Sequence, residues 1–340
     1  MGKEKAGNRI AFISFLQFIG VLSVVFGHSM NGIPVPEVLT SIKAWVYTYH
    51  MPLFCFVSAY LFAYKGGYDQ GYKSVLSKRF WRLIVPYVIW NVAFIIPKYL
   101  LMPLLSDVTK DSAVEFSAQY FLRIIFRPRD NILGHTWFLC ALFEMFLIAI
   151  LFDKARRKKE LWIPITLALI IVNCFGIENR WLAIGDLMKN GIFFWLGLLL
   201  GSFEPDDIIN WLKNKLMVCS IIVLVISTTV VWALNPSMNI NTFVLGISVL
   251  FLFMTIQILR GIQGELIEFV SRNSFPIYIM HWPIIMVLRL VFYQKIGISP
   301  VLSMFINLIL GFGIPCGVTF LLRKLKAPWI QKICTVVFGM

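Results

Sequence analysis

Apolar runs of about twenty residues recur along the whole chain, separated by short polar stretches. They fall at 10–30, 42–64, 83–104, 132–152, 161–177, 184–203, 216–234, 240–259, 274–293 and 299–322. About 20 residues of helix cross the ~30 Å hydrocarbon core of a bilayer, so this pattern predicts about ten spans. The expected architecture is all-α: a polytopic transmembrane helix bundle occupying residues 1–340 as a single membrane domain. The first run lacks a small-residue cleavage site and carries a polar face of its own, so it is read as a retained span rather than a signal peptide.

Polar residues inside these runs are the informative ones. The first run contains LQFIGVLSVVFGHSM, in which Gln17 and His28 stand eleven residues apart. Eleven residues are nearly three helical turns, which puts both side chains on one face about 16 Å apart along the axis. In the second run Pro52 follows His50 closely and frees the Thr48 carbonyl. A break there lets the span line a cavity, where irregular backbone is tolerated.

Composition agrees with lipid as the main solvent: 59% of residues are hydrophobic and 14% charged, against about half and a quarter in soluble domains. The net charge of +14 is an orientation signal rather than a nucleic-acid footprint, because most basic residues sit in alternate short loops. These are the N-terminus (Lys3, Lys5, Arg9), the 65–82 loop, the run DKARRKKE at 153–160, the 213–215 and 260–272 connections, and the tail from Arg323. The positive-inside rule then places both termini in the cytoplasm. The six cysteines are scattered without CxxC or metal-ligand spacing, so neither a disulfide framework nor a metal site is expected.

With that orientation, His28, His50 and His135 fall at similar depth toward the outer side, and His281 lies nearer the middle. A lone membrane histidine serves an interhelical hydrogen bond as readily as a site, but convergence at one depth is what a site requires. Glu144 lies within the fourth span, on nearly the same face as Trp137 and roughly opposite His135. A carboxylate in hydrocarbon is a site candidate, with a pair to Arg289 or simple neutralisation as alternatives. Asn91 and Gln257 read as packing glue. Arg79 and Arg82, three apart where a helix enters the membrane, either anchor it to lipid phosphates or grip a phosphate-bearing ligand.

Taken jointly, these positions resemble the acyltransferase-3 family of integral-membrane O-acyltransferases, in particular the branch similar to fucose 4-O-acetylases. The motifs are Gln17-FIGVLSVVFG-His28, then His50-Met51-Pro52 through Ser58-Ala59, Arg79-Phe80-Trp81-Arg82, His135-Thr136-Trp137 and Ser274 through Tyr278 to His281. The likeness covers about residues 9–293. It departs from the family pattern at Gln17, where an Arg or Lys is usual, and at Ala59, where a Gly is usual.

The resemblance implies a multi-pass protein of the bacterial cytoplasmic (inner) membrane that moves an acyl group from cytoplasmic acetyl-CoA, or another acyl-CoA, to a carbohydrate hydroxyl. The acceptor would be O-antigen, capsule, exopolysaccharide or a lipid-linked glycan. It implies a donor site at Gln17, Lys78, Arg79 and Arg82, catalysis by His28 as general base with His50 or Tyr278 assisting, and acceptor contacts at His135, Trp137, Glu144, Ser274 and His281. Trp45, Tyr47, Tyr49, Trp137 and Trp181 stack on sugar rings or form the interfacial aromatic belt. A glycolipid transporter or flippase that transfers no acyl group is the alternative reading, since aligned polar residues suit a pathway equally.

Overall fold

The computed structural model describes residues 10–69, 71–96, 118–176, 179–325 and 327–338. The basic residues Lys3, Lys5, Arg9 and Lys326 lie outside these. So do Asp107, Asp111 and Glu115 of the long 105–131 connection.

The described chain is helical throughout. In order it forms α1 (Ala11–Ser29), α2 (Glu37–Tyr47), α3 (His50–Tyr64), α4 (Tyr72–Arg79), α5 (Val85–Ala93), α6 (Ala118–Phe126), α7 (Trp137–Arg156) and α8 (Trp162–Phe175). These are followed by α9 (Ile184–Leu200), α10 (Pro205–Lys213), α11 (Lys215–Leu234), α12 (Asn239–Arg260), α13 (Glu265–Arg272), α14 (Ser274–Leu288), α15 (Pro300–Lys324) and α16 (Pro328–Phe338). Wide π-helical turns join α4 to α5 at Phe80–Ile84 and extend α14 through Arg289–Lys295.

Among the described residues, 8 helical stretches are long and apolar enough to cross a bilayer, which makes the chain a multi-pass membrane protein. Two of the ten expected spans differ. The third, expected over 83–104, is described only as far as residue 96. The fifth is α8, 14 residues long, which reaches only about 21 Å. Gly176, with φ of 58°, ends it in the left-handed conformation.

The second span is interrupted as its proline suggests. α2 ends at Tyr47, α3 begins at His50, and Thr48 and Tyr49 form the break. The Thr48 carbonyl points toward α12, where a Cβ on Gly246 would lie 2.6 Å from that oxygen. Only glycine leaves room for it.

α3 and α9 pack most closely of all the helices. Gly197 on α9 and Gly201 at its C-terminal cap face Ala59 and Ala63 on α3, and a Cβ on either glycine would overlap the carbonyl oxygen of Phe56 or Tyr60. Small residues four apart on both helices let the backbones approach, the usual solution where lipid offers no hydrophobic drive between helices. Ala59, the departure from the family's second motif, is part of this seam. It holds helices together, packed against Gly197.

The loops rich in basic residues meet at one end of the bundle. Arg157 pairs with Asp69 at 2.7 Å and with Asp153 at 3.3 Å, and Arg156 donates to Ser202 Oγ at 2.8 Å. Arg323 donates to Asn273 Oδ1 at 2.6 Å at the foot of α14. The 30–36, 128–136 and 179–189 segments lie at the opposite end. Asn91 ties α5 to that end, donating to Thr136 Oγ1 at 2.9 Å and accepting from the Leu133 amide at 3.4 Å. Gln257 instead donates to the Ile262 carbonyl just past its own helix, at 3.3 Å.

Candidate functional site

Two cavities enter the bundle from its opposite ends and share one residue, Tyr278. The inner one, about 350 Å³, opens at the basic end; the outer one, about 460 Å³, opens at the other.

The inner cavity is lined by Gln17 of α1, Ser58 of α3, Ser274 of α14, and Lys78, Arg79 and Arg82 around the π-helical turn. That extra residue per turn is common at functional sites because it re-aims side chains, and here both arginines reach the same hollow. Arg79 lies 4.0 Å from the centroid of the Phe146 ring, a cation–π contact that holds its fork in place. Burial, with Arg82 close by, lowers its pKa to about 10, so it stays cationic at neutral pH. Gln17 accepts from Ser271 Oγ at 2.6 Å through its amide oxygen. Its NH2 is left as a donor.

Imidazoles dominate the outer cavity. His28 from the end of α1, His50 from the start of α3 and His135 from the short turn before α7 all line it. The His28 and His135 ring centroids are 6.2 Å apart, and each is 5.1 Å from that of His281. His281 is fully buried behind them, its Nδ1 donating to the Tyr278 carbonyl. Trp282 packs on His28 at 4.8 Å and Tyr47 on His50 at 4.6 Å. Gly27 permits the second contact, since a Cβ there would overlap the Tyr47 ring.

Between the cavities stands an aromatic partition. Phe54, Phe138 and Tyr278 form a triangle with centroid separations of 6.0 to 6.3 Å. Tyr278 donates its hydroxyl proton to the backbone carbonyl of His135. That bond ties α14 to the turn that carries His135.

The sequence-predicted residues thus divide. Gln17, Lys78, Arg79, Arg82 and also Ser274 belong to the inner cavity, whereas Ser274 was expected at the acceptor. His28, His50, His135 and Trp137 belong to the outer one. Glu144 lines neither cavity and makes no ion pair among the described residues. Arg289, its possible partner, donates instead to the Asn31 carbonyl at 3.0 Å. Among the aromatic candidates, Tyr47 and Trp137 reach the outer cavity, while Trp181 stands exposed beyond it.

Several outer-cavity residues escaped the sequence reading. Arg129 stacks over Trp137 at 3.9 Å and grips Asp186 with two nitrogens, Nε at 2.7 Å from Oδ2 and the second to Oδ1. Asp186, Lys189 and Asn190 share one face of α9, and all three line the cavity. Their spacing of three and four was a readable signal, masked by the apolar run that follows. Leu182 and Ala183 adopt φ of 49° and 53° just before α9, a strained approach that brings Asp186 up to Arg129.

A family profile described as an acyltransferase domain matches residues 10–324. No curated protein and no solved structure matches the chain.

Proposed function

Because this multi-pass chain belongs to the acyltransferase-domain family, we propose that it transfers an acyl group across the bilayer, from acyl-CoA on the basic, cytoplasmic side to a hydroxyl of a carbohydrate on the other. One observation carries this reading: a cation-lined cavity and an imidazole-lined cavity approach from opposite ends and meet at Tyr278. The phosphates and adenine of coenzyme A cannot enter hydrocarbon, so they bind at Lys78, Arg79 and Arg82. Arginine forks suit phosphate geometry, and charge-assisted bonds are the strong ones.

The thin pantetheine arm then passes Gln17, whose NH2 meets an amide or thioester oxygen, and reaches the partition. Rotation of Phe54, Phe138 and Tyr278 admits the thioester to the imidazoles. There a sugar hydroxyl loses its proton to a ring nitrogen as it attacks the carbonyl, the usual base role of histidine, and a nearby donor stabilises the oxyanion. The acyl group is acetyl, as the resemblance to the fucose 4-O-acetylase-like branch implies. The acceptor is a cell-surface or lipid-linked glycan of a bacterial inner membrane, the setting of the fucose 4-O-acetylase-like branch, with Trp137 and Tyr47 offering stacking faces.

The test uses purified protein in proteoliposomes, radiolabelled acetyl-CoA on the basic side and a lipid-linked glycan on the other. Label in the glycan supports the enzyme. Glycolipid movement without donor consumption supports a flippase and refutes this proposal.

A further inference from the structure

Two of the imidazoles in the outer cavity are held in opposite tautomers, and the hydrogen bonds that hold them decide which is which. His28 Nδ1 lies 3.0 Å from Asn31 Nδ2. An amide is easily turned end for end, but Lys43 Nζ lies 2.5 Å from the other amide atom, Oδ1. An ammonium has only protons to give, so the atom it meets is the oxygen and the NH2 faces His28. Nδ1 therefore accepts. A neutral imidazole carries one proton, and in His28 it sits on Nε2. That nitrogen has no protein partner among the described residues, is not sealed from solvent, and belongs to a ring that lines the outer cavity. His28 presents an N–H to the substrate.

His50 is the reverse case. Its Nδ1 lies 3.2 Å from the Val46 carbonyl oxygen, which can only accept, so Nδ1 bears the proton. Its Nε2, with its lone pair, has no protein partner among the described residues and belongs to a ring that lines the same cavity. His281 cannot take this role, because its ring is fully buried and does not line the cavity.

We propose that His50 is the proton acceptor and His28 the oxyanion donor, the reverse of the roles expected from the first-span motif, with Asn31 and Lys43 as positioning residues that fix the His28 tautomer. The proposal rests on the acyl-transfer reading above. The acceptor hydroxyl oxygen bonds to the thioester carbon while its proton passes to His50 Nε2. The carbonyl electron pair moves to oxygen and is met by His28 Nε2–H. When the carbon–sulfur bond breaks, the coenzyme sulfur takes the proton back from His50, leaving an ester, free CoA thiol and both rings as they began. Asn31 is clamped for its task, its backbone carbonyl held by Arg289 Nη1 at 3.0 Å.

The test has two arms. In proteoliposomes of wild-type protein labelled with ¹⁵N-histidine, nitrogen NMR reads each tautomer, with the signals of the four rings assigned by single His→Gln variants. His28 is expected protonated on Nε2 and His50 on Nδ1, and Asn31→Leu should mix the His28 forms alone. In the kinetic arm, His50→Ala should lose about 10²- to 10⁴-fold in rate and regain at least about tenfold of it with added imidazole, which restores a base. His28→Ala should lose about 10²- to 10³-fold and gain nothing. Asn31→Leu should lower kcat with KM for acyl-CoA unchanged. Opposite tautomers, or imidazole restoring His28→Ala but not His50→Ala, would overturn the assignment. A wild-type protein inert toward acyl-CoA and glycan defeats the acyl-transfer reading instead, and the nitrogen signals still decide where the protons sit.

Discussion

Tyr278→Phe separates a structural tyrosine from a nucleophilic one. The hydroxyl donates to the His135 carbonyl, so its removal leaves a buried acceptor unpaired and loosens the joint between α14 and the turn before α7. Such a loss costs about 1–2 kcal/mol inside a membrane bundle. If all of it were felt in the transition state, through displaced His135 and His281, the rate would fall by at most about 30-fold, at about 1.4 kcal/mol per factor of ten. Loss of a covalent nucleophile costs far more, on the order of 10⁴-fold or beyond. The assay pairs unfolding in mixed detergent micelles with initial rates of label transfer from acyl-CoA. A variant of unchanged stability and no measurable activity would refute the reasoning and make the Tyr278 oxygen the reacting atom.

Three further outcomes are expected. Arg82→Gln should raise KM for acyl-CoA about tenfold or more with kcat nearly unchanged, as one charge-assisted phosphate contact is worth about 1.5–3 kcal/mol; an unaltered KM in steady-state kinetics would leave Arg82 as a lipid anchor. Gly197→Ala places a methyl against the Phe56 carbonyl and should cost about 1–3 kcal/mol by overpacking, read as earlier unfolding in detergent, while the same change at Gly313, which has open space around it, should be close to neutral. Phe54→Ala removes one leaf of the partition between the cavities, so kcat/KM for longer acyl-CoAs should rise relative to acetyl-CoA; an unmoved ratio tells against passage of the acyl arm between these rings.

Legibility in the sequence depended on the range of the interaction. Gln17 and His28 were placed on one face of one helix because helical periodicity is local, and α1 carries them to the two cavities as that spacing required. The break at Thr48 and Tyr49 was readable from Pro52 for the same reason. Glu144 stands within the same kind of span, but the azimuth of α7, which is set by packing, turns it away from both hollows. The pairing of Arg129 with Asp186, 57 residues apart in the chain, had no local signature.

Sequence by itself determined the lipid solvent and eight of the ten expected spans. Bilayer thickness and backbone satisfaction leave an apolar run of about 20 residues little choice but a helix. It also determined the separation of Gln17 and His28 along α1, because rise per residue converts spacing within a helix directly into length. Rotation of each helix about its axis, and so which rings face one another, was decided only by tertiary packing: by the Gly197–Ala59 seam, the room at Gly27 and the clamp of Arg289 on Asn31. The proton positions on His28 and His50 came last of all. They follow from single acceptor and donor atoms, Val46 O four residues before His50 and Lys43 Nζ twelve residues after Asn31, whereas the shared cavity these two rings line exists only in the assembled bundle.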